Sequence, residues 1–393
     1  MTEKIYYRDA YTQTARVAVI ATGTDEKGDY AVLDQSCFYP EGGGQPADIG
    51  TIGDVGITDV QTVDGEIRHY TAGTLKKGNY TAAIDWSRRL DHMQQHTGQH
   101  LLSAVFDDEF GMATKSFHLG VERVTIDLDV RSIQPDQLKR VEQQVNNFIR
   151  RKISIETEWV TQEQAAGMKL RKKPAVEGDI RLVKIGDIDL NACGGTHLAN
   201  TAELGLVKII RTEKSKNYTR VYFLCGDRAM LHFNLLQSVT DQLTRSLNAP
   251  VAELPDAAAA LLADRKEKEK QLKKLNLRLL EYEADSMLPE NNILIKIFEE
   301  RTIKEVQQLA QLKTQKHDDL YILFIIRDDG NLHFVCAKSK NVPGDMKLIL
   351  PRITGGSEEG IRGTENLAQA SVSLNNEPGI YVNAFQDIMK EIT

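Results

Sequence analysis

Asp91-His-Met-Gln-Gln-His-Thr-Gly-Gln-His-Leu-Leu102 decides how this chain is read. Continued to Phe106, it sets Met93, Leu101, Leu102 and Val105 among Gln and His at the spacing of an amphipathic helix, predicted over residues 91–106. His96 and His100 stand four apart, so both imidazoles project from one face and can reach a single ion. Alone, such a pair is as compatible with ordinary packing or surface residues. Thr97 stands where a metalloprotease helix carries Glu, which disfavours a peptidase. Further along comes Cys193-Gly-Gly-Thr-His197, a second ligand pair joined by two glycines that let the chain wrap an ion without a Cβ clash. Together the pairs predict one zinc ion (Zn2+) per chain, held by His96, His100, Cys193 and His197. His92, one turn before His96, exceeds a ligand count of four and is assigned to solvent or a backbone contact.

Outward from this core, residues 16–83 alternate runs such as Val17-Ala-Val-Ile-Ala and Tyr30-Ala-Val-Leu-Asp with turns rich in Gly and Asp, which predicts a small, mostly β domain. Within it lies Phe38-Tyr-Pro-Glu-Gly-Gly-Gly-Gln-Pro, whose three glycines suit a tight turn or a close backbone approach to a partner. Residues 120–230 alternate strands with a helix near 133–152. After Cys225 the character changes. Residues 231–288 are rich in Leu, Glu, Lys and Arg, with Leu272, Leu275 and Leu279 at coiled-coil-like spacing, and predict a long helical hairpin broken near Pro250 and Pro255.

From about residue 292 a separate α/β domain is expected, with residues 320–327 and 331–338 pairing across Asp328-Asp-Gly-Asn as a hairpin. The stretch Thr354-Gly-Gly-Ser-Glu-Glu-Gly-Ile-Arg-Gly-Thr-Glu-Asn can present backbone amides to phosphate, but Glu358, Glu359 and Glu365 would oppose an anion. A plain structural loop therefore stands beside a phosphate cradle as a reading.

Composition narrows the class. A chain of 393 residues, 41% hydrophobic and 27% charged, fits two or three globular domains rather than a disordered protein. Cys37, Cys193, Cys225 and Cys336 are too scattered for a secreted disulfide scaffold and are expected to be reduced thiols. No apolar run is long enough for a membrane span and the N-terminus lacks a signal-peptide pattern, so a cytoplasmic protein with no membrane partner is expected. The net charge of −7 argues against indiscriminate coating of nucleic acid, yet leaves room for a local basic surface that docks one structured RNA.

The two ligand stretches, Asp91-His-Met-Gln-Gln-His-Thr-Gly-Gln-His-Leu-Leu and Cys193-Gly-Gly-Thr-His-Leu, resemble the paired zinc motifs of the editing domain of alanyl-tRNA synthetases. Freestanding trans-editing proteins of the AlaX type share them. The glycine-rich run 38–50, Glu203-Leu-Gly-Leu-Val-Lys-Ile and Arg220-Val-Tyr-Phe-Leu-Cys-Gly-Asp-Arg-Ala extend the similarity over residues 38–229. Beyond them the chain resembles, more loosely, the C-terminal part of those synthetases. No stretch looks like the ATP-binding aminoacylation core, so synthetase activity is not implied, and the whole resembles the long form of the freestanding editors.

The resemblance implies an α+β protein in four parts. These are an N-terminal β-barrel-like domain with the glycine-rich motif (1–88), an α+β zinc-binding editing, or deacylase, domain (89–230), a helical linker or coiled coil (231–291) and a small C-terminal α/β domain (292–393). The last part would bind tRNA and form a homodimer. The implied activity is hydrolysis of tRNA(Ala) mischarged with serine or glycine. A pocket shaped for alanine cannot exclude glycine and rejects serine by only about a hundredfold, so a second, hydrolytic sieve is needed. Gln45 and Thr97 are the candidates to recognise the serine hydroxyl, a placement the resemblance supports. Four protein ligands close a tetrahedral zinc site, so either the ion expands to five ligands or it orders the pocket while another group positions the water. The rival readings are a non-catalytic zinc-stabilised tRNA-binding module and a metal-dependent hydrolase of small esters or amides.

Overall fold

The computed structural model describes every residue except 1, 121–122, 173–177, 329, 357–359, 374–376 and 393. The chain is of mixed α+β type and divides into two compact units, Met1–Gln242 and Leu243–Thr393. Among the described residues no helix is long and apolar enough to cross a membrane.

The first unit opens with six strands, β1 (Thr14–Asp25), β2 (Gly28–Leu33), β3 (Gly50–Ile52), β4 (Val55–Val63), β5 (Glu66–Thr71) and β6 (Gly78–Ile84). They close as a barrel in the order β1-β2-β5-β4-β3-β6. Alternation places Val17, Val19, Leu33, Ile52, Ile57, Val60, Ile67 and Ala82 in one buried cluster. Asp64 and Gly65 both take positive φ, the conformation that a two-residue hairpin between Val63 and Glu66 requires.

Helix α1 (Trp86–Phe110) follows, longer at both ends than residues 91–106 because Asp85 caps its start and Gly111, in the left-handed region, ends it. Its mid-helix Gly98 is needed for close packing: a Cβ there would lie 2.2 Å from the Cys225 sulfur. Around α1 stand β7 (Thr114–Leu119), β8 (Val124–Leu128), α2 (Pro135–Arg150), β9 (Ile155–Val160), β10 (Ile180–Ile185), β11 (Asp189–Ala192), β12 (Val207–Lys214) and β13 (Thr219–Cys225). They form one sheet in the order β12-β13-β8-β7 and another in the order β9-β10-β11. Helix α2 starts at Pro135, not 133, since proline suits a first helical turn, and it sends Val141, Val145 and Ile149 into the core.

Two helices carry the chain onward, α3 (Gly226–Leu247) and α4 (Leu254–Ser286). The break falls at residues 248–253, where Asn248 has φ of 48°. Pro255 breaks nothing, because it occupies the first turn of α4 where its missing N–H is not needed. Leu272, Leu275 and Leu279 are exposed on α4.

The second unit continues with β14 (Ile293–Phe298), α5 (Ile303–Lys316), β15 (Tyr321–Asp328), β16 (Asn331–Lys338), α6 (Met346–Thr354), β17 (Arg362–Thr364), β18 (Leu367–Ser373) and α7 (Pro378–Ile392). Its sheet order is β14-β15-β16-β18-β17. The hairpin between β15 and β16 pairs Tyr321 with Lys338 and Asp328 with Asn331. Of the glycine-rich loop, Glu358 and Glu359 lie outside the described residues, while the Glu365 carboxylate sits 3.5 Å from the Lys338 ammonium.

Candidate metal centre

Three segments converge on one point. Helix α1 supplies His96 and His100 from one face, and the chain leaving β11 supplies Cys193 and His197. Their four ligand atoms lie within 4.8 Å of one another. The third segment is the glycine-rich turn. Gly43 and Gly44 both have positive φ, and Gly42 and Gln45 exchange backbone hydrogen bonds of 3.1 and 3.0 Å, so the run is a tight turn that delivers Gln45 inward. A buried pair anchors this turn to α1: the Arg89 guanidinium donates to Asp48 and to the carbonyls of Cys37 and Ala10 (both 2.7 Å), and Asp48 also accepts from the Tyr39 N–H.

Each imidazole has its Nδ1 engaged. His100 Nδ1 lies 2.7 Å from Asp189 Oδ2, His96 Nδ1 lies 3.0 Å from Gln45 Oε1, and His197 Nδ1 lies 3.2 Å from Thr97 Oγ1. The Thr196 N–H donates to Gln45 Oε1 at 3.0 Å, which identifies that atom as the oxygen, so His96 Nδ1 must be the proton donor to it. A carboxylate likewise makes His100 Nδ1 a donor. His96 therefore turns an Nε2 lone pair toward Cys193, whose sulfur is 3.4 Å from His96 Nε2 and 3.3 Å from His197 Nε2.

This donor set fits zinc. Tetrahedral bonds of about 2.0–2.1 Å to nitrogen and 2.3 Å to sulfur would separate sulfur from nitrogen by roughly 3.6 Å, close to the distances found. Ligand imidazoles with the far nitrogen held by a carboxylate, an amide or a hydroxyl are the usual support of such an ion. Electrostatics agree. Burial opposes ionisation of the Cys193 thiol, but His96 and His197 beside it bring it well below its ordinary range, toward the thiolate. Burial would lower His100, yet Asp189 and the Cys193 sulfur raise it to about 10, so its Nε2 holds a proton that a bound ion would displace; burial lowers His197 to about 3.

Gly195 shows why two glycines join this pair: a Cβ there would lie 2.2 Å from His96 Cε1 and 2.9 Å from Gln45 Oε1. The three histidines are buried, whereas Cys193 is half-buried and Gly194 exposed, so the cluster meets solvent on the Cys193 side.

The sequence-predicted residues are thus brought together, but not all in the expected way. Gln45 and Thr97 are both fully buried with their polar atoms committed, Gln45 to His96 and Thr196, Thr97 to His197 and to the Leu198 N–H at 3.3 Å. His92 is not a solvent residue: it is 2% exposed, and its Nδ1 has no partner among the described residues. Burial first, then the nearby arginines Arg88, Arg228 and Arg89, lower it to about 3 and keep it neutral. Sequence reasoning missed Asp189 and the arginine behind it. Arg171 donates to Asp189 Oδ1 at 2.8 Å and also pairs with Asp107 and Asp108. The signal was an Asp between Ile188 and Leu190 on the strand that leads to Cys193.

Residues 180–222 match the family described as the threonyl and alanyl tRNA synthetase second additional domain. The chain is 30% identical to the alanyl-tRNA editing protein AlaX-L of Pyrococcus horikoshii over 96% of both chains. It is 36% identical to an alanyl-tRNA editing protein of Mus musculus over 70% of both, and 29% identical to the alanine–tRNA ligase of Pyrococcus abyssi over 94% of this chain and 42% of the ligase. Motifs, geometry and full-length similarity together make this chain a member of the alanyl-tRNA editing protein family.

Proposed function

We propose that the chain is a cytoplasmic trans-editing hydrolase that deacylates tRNA(Ala) carrying serine or glycine, with one zinc ion held by His96, His100, Cys193 and His197. The observation that carries this reading is the four-donor cluster in which every imidazole is oriented through its Nδ1 by a second residue. Such a bound ion supplies Lewis acidity toward an ester or a water molecule. Asp189 holds the proton on His100 Nδ1 and Gln45 Oε1 holds the one on His96 Nδ1, so both rings keep their Nε2 lone pairs inward. Thr97 sets the angle of His197. Cys193 forms the open edge through which the aminoacyl end enters.

Gln45 and Thr97 then act as positioning residues through His96 and His197. In this reading the barrel part (1–88) brings Gln45 to the site and the following part (89–230) brings the ligands. The helical linker (231–291) and C-terminal part (292–393) hold the body of the tRNA and a second copy of the chain. The test is hydrolysis of seryl-, glycyl- and alanyl-tRNA(Ala) side by side, with and without a chelator. Rapid, chelator-sensitive loss of serine or glycine with alanine spared is expected. Zinc and tRNA bound without any deacylation would leave a non-catalytic module instead.

A further inference from the structure

A line of side chains runs outward from the ligand cluster along the sheet β9-β10-β11. Trp159 on β9 is in register with Arg181 on β10, and Cys193 continues β11 opposite Arg181, its N–H bonded to the Arg181 carbonyl at 3.0 Å. The row Trp159, Arg181, Cys193 thus crosses two strand spacings, about 10 Å. Tyr7 lies over it. Its ring is 5.0 Å from the Arg181 guanidinium carbon and 5.5 Å from the Trp159 ring, and a Cβ on Gly194 would sit 3.4 Å from its hydroxyl. The aromatic pair therefore borders the solvent-facing side of the cluster.

Two features of this row are unexplained by packing. Trp159 is 55% exposed although its ring meets that of Tyr7 at 76°, so much of the indole is open to solvent. Arg181 is 6% exposed, yet among the described residues its contacts are the carbonyls of Cys193 (2.8 Å) and Gly195 (2.9 Å) and the Tyr7 ring, none of them a carboxylate. Among the described residues its Nε–H is buried with no hydrogen-bond partner. The negative charge beside this buried cation is the Cys193 sulfur, which a zinc ion would neutralise, so with the ion bound the guanidinium would lack an anion until one arrives.

The geometry points to Trp159 and Tyr7 as the stacking platform for the terminal adenine of the tRNA, with Arg181 supplying the positive charge that receives the anionic 3′ end. This rests on the proposed deacylation. An aminoacyl ester held at the cluster carries its adenine on the same ribose, one sugar ring away, which is the separation the row provides. An open indole face takes any base, and alanine substitution of such a stacking residue costs on the order of tenfold to hundredfold in affinity.

The test is Trp159→Ala against mischarged tRNA(Ala), with and without the terminal base, the latter as an abasic 3′ nucleotide. With the base present, Trp159→Ala should raise KM by roughly tenfold or more, mainly in KM rather than kcat, and Trp159→Phe should recover most of the loss. With the base absent, wild type and variant should converge. An unchanged KM, or an equal loss on the abasic substrate, overturns the platform while leaving the deacylase intact. If wild type deacylates nothing, tryptophan fluorescence decides. Quenching by uncharged tRNA that depends on both Trp159 and the terminal adenosine supports the platform, and quenching indifferent to either overturns it.

Discussion

Asp189→Asn changes one atom in a fully buried group and removes the charge that fixes His100. The carboxylate accepts from His100 Nδ1 at 2.7 Å through one oxygen and from Arg171 Nε at 2.8 Å through the other, with the Asn191 amide donating to both. An asparagine has one oxygen for these donors. If the oxygen faces Arg171, the new NH2 faces His100 and forces its proton onto Nε2, so the ring can no longer offer a lone pair to the ion. If it faces His100, the NH2 meets Arg171 and the ring is held by a weaker, neutral acceptor. Loss of such a supporting contact typically weakens metal affinity tenfold to hundredfold, about 1.4–2.8 kcal/mol. Zinc affinity, measured by competition with a chromophoric chelator on protein whose circular dichroism matches wild type, should fall within that range, and deacylation at limiting zinc should fall with it. An affinity within twofold of wild type would refute the assignment of Asp189 as the residue that orients His100.

Gly195→Ala should lower zinc occupancy more than it lowers stability of the metal-free protein, since the methyl would enter the His96 ring; zinc content by mass spectrometry and apo melting temperature separate the two. Thr97→Val leaves the Leu198 N–H and His197 Nδ1 without their partner, a loss of roughly 1–3 kcal/mol, and should slow seryl- and glycyl-tRNA alike. A loss confined to the seryl substrate would instead show Thr97 touching the serine hydroxyl. His69, buried in the barrel between Ser36 Oγ and the Ala31 carbonyl, is lowered to about 4 by burial. Because the unfolded chain takes up this proton near pH 6.5 and the folded chain only near 4, stability should fall as pH drops through that window, by about 3 kcal/mol. Denaturant melts of wild type and His69→Gln at pH 7 and pH 4 should show the variant losing less.

What was legible in the sequence was whatever depends on local spacing. Histidines four apart on a helix share a face whatever surrounds them, so His96 and His100 announced themselves, and Cys193 and His197 did so by their separation and glycines. The β15–β16 pairing was equally readable, because its two apolar runs are neighbours in the chain, separated by a Gly- and Asp-containing stretch. Helix ends were less so: capping by Asp85 and the proline start of α2 moved boundaries by several residues. Only the tertiary structure decided what each buried polar group faces. Asp189 on β11, Arg171 on the bend before β10 and Gln45 in the glycine-rich turn meet His96, His100 and one another across long sequence separations, and no periodicity records such meetings. The same reason governs Thr97, whose position beside the ligands suggested contact with substrate, while its hydroxyl is committed to His197 and Leu198. His92 shows the converse, a residue that a ligand count consigned to solvent or a backbone contact and that packing of α1 buries. Local chemistry therefore determined which groups bind, and long-range packing determined which of them are held and which remain open.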